Sequence, residues 1–465
     1  MAGPAAPRDV LSKADLLQRR LGADLRDRLV DSIYTDAGDL SRRYVRVSTD
    51  RRRDLDRALD RIITSRIFGL PLMFLGLAAV FWITVAGANV PSNLLASALF
   101  RVEELGASLF DAIGSPWWLT GFIWHGTFKG LAWVIAVMLP PMAIFFPLFT
   151  FFEDLGYLPR VAFNMDRFFK WAGAHGKQSL TMSMGFGCNA AGIIATRIID
   201  SPRERLIAIL TNNFVPCNGR FPTLIMLATI FVGTAVPPAL ASFAAAGTVV
   251  MVVVVGVVMT LLVSAFLSRT VLKGEASSFT LELPPYRRPN FSRILYTSII
   301  DRTLFVLKRA IYMAAPAGAL IWLLSAIHIG DQNLTTILST AFDSFGQALG
   351  LDGVIILAYI IAIPANEIVV PTILMAYTGA TQMADITGLG ELQGILAGEQ
   401  GWTLLTAVSL MLFSLLHNPC STTIMTTWKE TGSRKWTTVG ALMPLAIAFA
   451  VCFLVANLWR LFAGF

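Results

Sequence analysis

The 465-residue chain is 55% hydrophobic and only 14% charged, and its mean hydropathy is +0.64. About a quarter of an ordinary soluble domain is charged, so this composition excludes a soluble globular fold. The formal net charge of +7 does not indicate nucleic-acid binding, because the Lys and Arg residues occupy a few segments between apolar stretches. That distribution is typical of membrane proteins, whose cytoplasmic loops collect basic residues.

The first 65 residues are polar and charged, with leucines at helical spacing and a mixed-charge run at 51–57. They lack the short apolar core and small-residue cleavage site of a signal peptide. We therefore expect residues 1–65 to form a cytoplasmic helical arm and residues 66–465 to form a transmembrane domain.

Several apolar stretches are long enough to cross a hydrocarbon core of about 30 Å, which takes roughly 20 helical residues. The sequence predicts an all-α polytopic membrane protein with about seven to nine transmembrane helices, counted as seven full spans and two broken or re-entrant segments. The clearest stretches are 67–90, 134–152, 248–267, 304–327 and 443–458.

Charge in the connecting segments predicts which side of the membrane each one faces. The segments 90–118, 328–351 and 377–401 carry acidic side chains and at most one Lys or Arg, so we expect them outside. The segment 269–303 is basic and is expected in the cytoplasm.

Two apolar stretches break the simple alternation of sides. The stretch 180–199 has basic residues on both flanks, and the stretch 354–375 lies between two segments that are expected outside. Each is therefore predicted to enter and leave on one face, and the two faces are opposite. This favours an inverted repeat, with one half at about 128–268 and the other at about 304–463.

Both halves repeat one pattern of unusual residues. The first half has GFGCN at 185–189 followed by NNFVPCNGRFP at 212–222, and the second has PANE at 364–367 followed by HNPCSTT at 417–423. Proline inside a membrane helix frees backbone carbonyls, and such breaks are tolerated only where protein or a polar cavity satisfies them. Broken helices of this kind meet near the midplane and hold the substrate of a transporter.

The side chains at these breaks indicate a cation. Thiolate together with Asn, His or carboxylate suits a borderline ion such as Fe²⁺, Zn²⁺ or Co²⁺, whereas Mg²⁺ would favour oxygen alone. A carboxylate inside the bilayer is costly unless it is paired, neutralised or functional. The candidate ligands are Cys188, Asn189, Cys217, Glu367 and Cys420, with Asn213, Asn366 and His417 as secondary candidates.

A simpler interpretation remains open for some of these residues. A single Cys in an apolar helix is more often a small core residue than a ligand, and we interpret Cys452 in that way. His417 could serve as the cap of a broken helix. An enzyme is not indicated, because no catalytic acid pair, triad or cofactor motif is present. Gly176 and Lys177 do not form a phosphate loop, since Trp171 and Gln178 stand where that motif needs Gly and Ser or Thr.

From about Asp24 to the C-terminus, the sequence resembles the ferrous-iron transporter B (FeoB) family. The resemblance is carried by DRIITSRIFGLP at 60–71, EDLGYLPRVAF at 153–163, MDR at 165–167, HGK at 175–177, GFGCN at 185–189, KGE at 273–275, Phe279 and ELPPYR at 282–287.

The resemblance implies a Gate-type membrane domain in which Cys188, Cys217 and Cys420 occupy the family's cysteine positions. It implies Fe²⁺ as the transported substrate, no bound organic cofactor, and a bacterial inner-membrane location with a cytoplasmic N-terminus. Two positions depart from the family pattern: Asn366 stands where the family usually has Lys, and the residues after Asn189 read Ala190-Ala191-Gly192.

The family also implies control by GTP, which normally acts through an N-terminal GTPase domain. Residues 24–50 resemble the end of the linker that follows that domain, so we expect either a separate GTPase subunit or a truncated chain. A small FeoA-like protein, membrane lipid and further copies of the chain are the other expected partners, and nucleic acid is not.

Two other functions compete with metal transport. A carrier of nucleosides or small solutes would need an aromatic-lined pocket with Asn and Glu beside inert cysteines. A non-transporting scaffold, like the spore-maturation proteins, is disfavoured by the cytoplasmic FeoB segments.

Overall fold

The computed structural model describes residues 25–44, 58–65, 67–274, 286, 289–330, 332–378 and 392–463. The predictions for 1–24, 45–57, most of 275–288 and the 379–391 part of the predicted outer loop lie outside these residues. The described part is almost entirely helical. Its strands are β1 (His328–Ile329) and β2 (Gln332–Asn333), which form a short antiparallel hairpin. The predicted all-α fold is confirmed.

The N-terminal part contains two helices of different character. Helix α1 (Leu25–Tyr44) is mostly exposed, whereas α2 (Gly69–Ala112) is an apolar helix of 44 residues. The predicted break after residue 90 was wrong, because α2 continues through Pro91. The residues beyond it, 94–112, are rich in Leu, Ala and Glu, which favour helix strongly enough to outweigh one proline.

The first half begins after the short helix α3 (Trp117–Thr120) and a π-helical segment, Gly121–Phe128. Gly156 ends α4 in the left-handed region, at φ 86°, which glycine adopts without steric cost. The helices of this half are α4 (Lys129–Leu155), α5 (Tyr157–Trp171), α6 (Gln178–Gly187), α7 (Asn189–Ala195), α8 (Pro202–Thr211), α9 (Phe221–Leu227) and α10 (Pro238–Arg269), with 3₁₀ turns at Thr196–Ile198 and Asn212–Phe214 and a π segment at Ala228–Gly233.

The second half is built in the same manner from short and long helices. They are α11 (Phe291–Tyr296), α12 (Phe305–Ala326), α13 (Leu334–Ala348), α14 (Gly353–Ile361), α15 (Val369–Thr378), α16 (Leu404–Leu416), α17 (Ser421–Thr431) and α18 (Arg434–Ala463), with π segments at Thr297–Leu304 and Gly394–Glu399 and a 3₁₀ turn at Asn366–Ile368.

Within the described residues, four helical stretches are long and apolar enough to cross a membrane, and the bent pair α13 and α14 makes a fifth candidate. The axes of that pair differ by 111°. The four stretches are Trp117–Leu155, Phe243–Arg269, Leu404–Thr431 and Arg434–Phe462, and shorter apolar helices lie at Gly69–Thr84, Phe221–Gly233 and Ile311–Ala326. These helices fit a polytopic membrane protein.

One predicted boundary differs from the structure. The segment 328–351, predicted as an outer loop, contains α13, whose start is capped by Asn333. The segment 354–375 is interrupted at Pro364 and Ala365, between α14 and the 3₁₀ turn, which agrees with its prediction as a broken segment.

The two halves approach each other closely along α4 and α12. A β-carbon on Gly318 would stand 2.5 Å from the carbonyl oxygen of Gly126 and 3.0 Å from the α-carbon of Gly130. Only glycine permits this close backbone contact between α12 and the start of α4.

Candidate functional site

The first break lies at Cys188, between α6 and α7. Its backbone is extended (φ −155°, ψ 124°), so the helix stops for one residue and restarts at Asn189. The preceding Gly187 packs against Phe145, where a β-carbon would come within 2.5 Å of the ring. Because this position is glycine, the backbone at the break can pack directly against α4.

The second break of the first half lies at Pro216 and Cys217, between the 3₁₀ turn Asn212–Phe214 and α9. The amide of Arg220 donates to the Cys217 carbonyl (2.9 Å), which closes a turn. The amide of Asn218 donates to the carbonyl of Gly187 (3.3 Å). This hydrogen bond joins the Pro-Cys break to the break at Cys188.

The second half repeats this construction. Ala365 has the same extended backbone as Cys188 (φ −151°, ψ 115°) and also precedes an Asn, Asn366. The amide of Ser421, the residue after Cys420, donates to the carbonyl of Ile363 (2.9 Å). In each half, the residue that follows the cysteine of the Pro-Cys pair therefore donates a backbone hydrogen bond to a residue just before the other break of that half.

All of these breaks surround one cavity of about 40 Å³. About 10 to 15 Å³ holds one water molecule, so the cavity can accommodate an ion with about two waters. Its lining comes from α4 and from the breaks of both halves: Met138, Met142, Gly187, Cys188, Asn189, Cys217, Gly219, Pro364, Ala365, Asn366, Glu367, Cys420, Thr422 and Thr423.

Six of the predicted site residues thus lie around the same cavity: Cys188, Asn189, Cys217, Asn366, Glu367 and Cys420. All three thiols are free, and the Cys420 sulfur lies 3.2 Å from the Thr423 hydroxyl. Cys452 lies elsewhere, fully buried, with its sulfur 3.5 Å from the Ser409 carbonyl.

Asn213 and His417 do not line the cavity. The Asn213 amide nitrogen donates to the His417 carbonyl (2.7 Å). The His417 Nδ1–H donates to the carbonyls of Phe413 (3.1 Å) and Ser414 (2.9 Å), at the end of α16. His417 is therefore the cap of a broken helix, which is the simpler of its two interpretations. Its Nε2 lies 3.3 Å from Asn366 Oδ1.

Arg220 is a fully buried cation behind the cavity. Its guanidinium donates to the carbonyls of Asn213 (2.8 Å) and Leu415 (2.8 Å), and more weakly to those of His417 (3.3 Å) and Asn418 (3.4 Å). It thus satisfies carbonyl groups freed by the Pro-Cys breaks of both halves, which could not otherwise be buried without a large cost.

Glu367 faces the cavity from the 3₁₀ turn Asn366–Ile368 and lies against Gly219. Within the part of the chain that the structure describes, no basic side chain forms an ion pair with it. A carboxylate in this position attracts a cation.

The site nevertheless does not form a closed cluster of the common ligand types. Among the described residues, no group of three or more His, Cys, Asp and Glu side chains lies close enough to hold a metal ion. An ion in the cavity would therefore also need donors of other types, such as amide, hydroxyl or thioether groups.

Five lining residues were not among the predicted ligands: Gly219, Thr422 and Thr423, which lie inside the repeated motifs, and Met138 and Met142, which lie outside them. The two methionines are four residues apart on α4, which places them on one helix face. That spacing was the available signal, but methionine in an apolar span is ordinarily a packing residue.

The chain matches two family models. The Gate model, described as nucleoside recognition, matches residues 135–231 and 307–434, and these ranges contain every residue that lines the cavity. The model of the ferrous iron transport protein B C terminus matches residues 249–301. No solved structure matches the chain significantly.

Curated relatives are named Fe(2+) transporter FeoB. The protein of Staphylococcus aureus (strain MSSA476) is 28% identical over 87% of this chain and 59% of its own length, and that of Synechocystis sp. is 27% identical over 88% and 64%. A Fe(2+) transport protein A/Fe(2+) transporter FeoB fusion protein of Porphyromonas gingivalis is 28% identical over 97% and 58%.

The chain therefore spans about three fifths of the length of these relatives. Together, the matches show that the chain is similar to the Gate model in two segments, to the FeoB C-terminal model between them, and over most of its length to proteins named FeoB.

Proposed function

We propose that the protein carries Fe²⁺ across the bacterial inner membrane through the cavity at the broken helices. The observation that carries this proposal is that three free thiols and the Glu367 carboxylate, which forms no ion pair among the described residues, line a single cavity between the two Gate segments. The names of the relatives support the choice of ferrous iron.

The composition of the lining fits a dehydrated borderline cation. Thiolate sulfur binds Fe²⁺ well, and a carboxylate compensates part of the charge of the ion. The broken helices expose backbone groups near the cavity, as in transporters that hold their substrate between discontinuous helices. The metal would thus exchange water for protein donors at the meeting point of the two halves.

A nucleoside carrier is the second candidate, and the description of the Gate family favours it. The cavity at the breaks contains no aromatic side chain on which a base could stack. A larger cavity, of about 90 Å³, lies beside α6 and has Phe145, Phe149 and Phe186 in its lining, but it has no Asn or Glu. Neither cavity combines the features that the nucleoside hypothesis requires.

Control by GTP would act through a GTPase on a separate polypeptide, docked on the cytoplasmic arm and the basic loops. The fusion of transport protein A with FeoB in one relative supports a small FeoA-like partner as well. The charges of the loops support a cytoplasmic N-terminus. The purified chain alone should hydrolyse no GTP.

The proposal is tested by Fe²⁺ uptake into liposomes that contain the purified chain, under anaerobic conditions. Serine keeps the size of cysteine but replaces a soft, readily ionised ligand by a hydroxyl that stays protonated. Cys188→Ser, Cys217→Ser, Cys420→Ser and Glu367→Gln should each lower uptake by roughly tenfold, while membrane expression is retained.

Cys452→Ser is the matched control, because this thiol is buried away from the cavity. Its uptake should equal that of the parent. Parental uptake by all three motif serine variants would overturn the cysteine pathway, and uptake of a labelled nucleoside in place of Fe²⁺ would favour the second candidate.

A further inference from the structure

Two methionines line the cavity at the broken helices. Met138 and Met142 lie on α4, four residues apart and therefore on one face of the helix. Both are buried, with 6% and 2% of their surface exposed, and both line the cavity together with the three motif cysteines. α4 also packs against the 3₁₀ turn that carries Glu367.

Methionine usually fills irregular gaps in apolar cores, so packing is the alternative explanation. Two observations argue against packing alone. The methionines line the same cavity as the polar residues Glu367, Asn189 and Asn366. In addition, no three His, Cys, Asp or Glu side chains of the described residues converge to hold an ion. A bound cation therefore needs further donors, and these thioethers lie on the same cavity.

The thioether group has properties that thiolate and carboxylate lack. It is soft, so it favours Cu⁺, Ag⁺ and borderline ions and contributes little to the binding of Mg²⁺ or Mn²⁺. It is neutral and has no proton to lose, so it adds a donor without adding charge to the site. With the two thioethers, the lining offers five sulfur atoms and one carboxylate.

We propose that Met138 and Met142 are ligands of the cation in this cavity and make the site selective for soft and borderline ions over hard ones. The proposal rests on the proposed function only in placing the cavity on the transport pathway. Binding of a soft ion at the cavity can be measured separately from transport.

The test uses Ag⁺ as a soft probe with no redox step. Leucine has nearly the volume of methionine but no donor atom, so Met138→Leu and Met142→Leu preserve packing and remove the ligand. Calorimetric titration of the purified chain with Ag⁺, in chloride-free buffer, should show an affinity about tenfold weaker for the double variant. Each single variant should lose part of that affinity, which keeps the proposal testable if the double variant assembles poorly.

Met182→Leu is the matched control. Met182 is equally buried, with 4% of its surface exposed, but it lines the neighbouring apolar cavity. It should bind Ag⁺ as the parent does. In liposomes, the double variant should also be less selective against Mn²⁺. Mn²⁺ should therefore compete with Fe²⁺ uptake several-fold better than in the parent.

The outcomes separate this inference from the proposed function. Parental Ag⁺ affinity and parental Mn²⁺ competition in the folded Leu variants would show that the methionines only pack, even if the cysteine variants lose Fe²⁺ uptake. Conversely, weaker Ag⁺ binding in the Leu variants of a chain that transports no Fe²⁺ would support the ligand assignment and reject the proposed function.

Discussion

The carboxylate of Glu367 lies directly on Gly219, so that a β-carbon on residue 219 would stand 2.2 Å from Glu367 Oε1. The two residues belong to different halves, and both line the cavity. Because residue 219 has no side chain, the carboxylate can rest against the backbone beside Cys217. The position of this acid therefore depends on a glycine that is close to a motif cysteine in sequence.

Gly219→Ala should displace the Glu367 carboxylate without unfolding the protein. The overlapping atoms are at the far end of a flexible side chain, which can rotate away at small cost. We expect Fe²⁺ uptake to fall towards that of Glu367→Gln, with membrane expression unchanged. Gly247→Ala is the control, since a β-carbon there meets nothing within 4 Å. Full uptake by Gly219→Ala would show that transport does not depend on the observed position of the Glu367 carboxylate.

Arg220→Met should destabilise the protein, because it leaves carbonyl groups of both Pro-Cys breaks buried without a donor. An unsatisfied buried group costs about 1 to 3 kcal/mol, so the total loss should be roughly 3 kcal/mol or more. Thermal unfolding in detergent should show a clearly lower Tm. Arg220→Lys should recover part of the lost stability. Arg101→Met is the control, because Arg101 lies on the exposed surface of α2, and it should change the Tm little. An unchanged Tm in Arg220→Met would contradict this role.

The sequence predicted the breaks better than it predicted their surroundings. Gly187, Pro216 and Pro419 interrupt helices by local chemistry, through missing side chains or missing amide hydrogens, and this can be deduced from neighbouring residues alone. The convergence of Cys188, Cys217 and Cys420 also followed from the repeated pattern in the two halves.

The remaining features depend on contacts between distant parts of the chain. Arg220 bonds the carbonyl of Leu415, 195 residues away, and the sequence pattern contains no trace of this pairing. Met138 lies in a continuous apolar stretch, where the cavity-facing side cannot be distinguished from the packed or lipid-facing sides. The extent of α2 past Pro91 was missed because a proline is a weak predictor when the following residues favour helix strongly.

A hydrogen-bond network links the arm to α5 on the side that the basic residues predict to be cytoplasmic. Asp60 accepts hydrogen bonds from Arg160 (Nε to Oδ1, 3.0 Å; Nη2 to Oδ2, 3.2 Å) and from the Tyr286 hydroxyl (2.8 Å). Burial tends to raise the pKa of Asp60, but the hydrogen bonds from Arg160 and Tyr286 and the charge of Arg160 outweigh it, and the pKa lies below 3.8. Burial and the bond to Asp60 raise the pKa of Tyr286 to about 12.

Asp60→Asn should lower stability in a pH-dependent manner. A carboxyl group whose pKa is lowered by folding stabilises the protein above its unfolded pKa of 3.8 and loses this contribution as the pH falls through the lowered value. The raised pKa of Tyr286 has the opposite sign, so its contribution is complete below 10.0 and is lost as the pH rises towards 12.

Thermal unfolding should therefore show a difference between parent and Asp60→Asn at pH 7 that disappears in acid below 3.8. Since Asp60 is partly exposed, we expect a loss of only about 1 kcal/mol. Asp39→Asn removes a comparable but exposed pair with Arg42 and serves as the control. A difference that stays constant from pH 7 into acid would be inconsistent with a contribution from the Asp60 charge.

Glu430 connects the two halves. It lies near the ends of two helices, one of which begins after Cys188 and the other after Cys420. These helices, α7 and α17, pack together. The carboxylate of Glu430, at the end of α17, accepts hydrogen bonds from Arg197 (Nη2, 2.6 Å) and Arg205 (Nη2, 2.6 Å) of the first half. These ion pairs link the two halves on the side that the basic residues predict to be cytoplasmic.

Glu430→Gln should open this side of the cavity. The change removes the charge that holds Arg197 and Arg205 together and leaves two neighbouring cations that repel each other. In a chain whose only cysteine is Cys420, a membrane-impermeant thiol reagent applied to inside-out vesicles should therefore react several-fold faster with Glu430→Gln than with the parent. Asp200→Asn is the matched control, because the pair of Asp200 with Lys177 (3.1 Å) lies within the first half and does not bridge the two. Equal reaction rates in the parent and Glu430→Gln would show that the ion pair does not restrict access to Cys420 from this side.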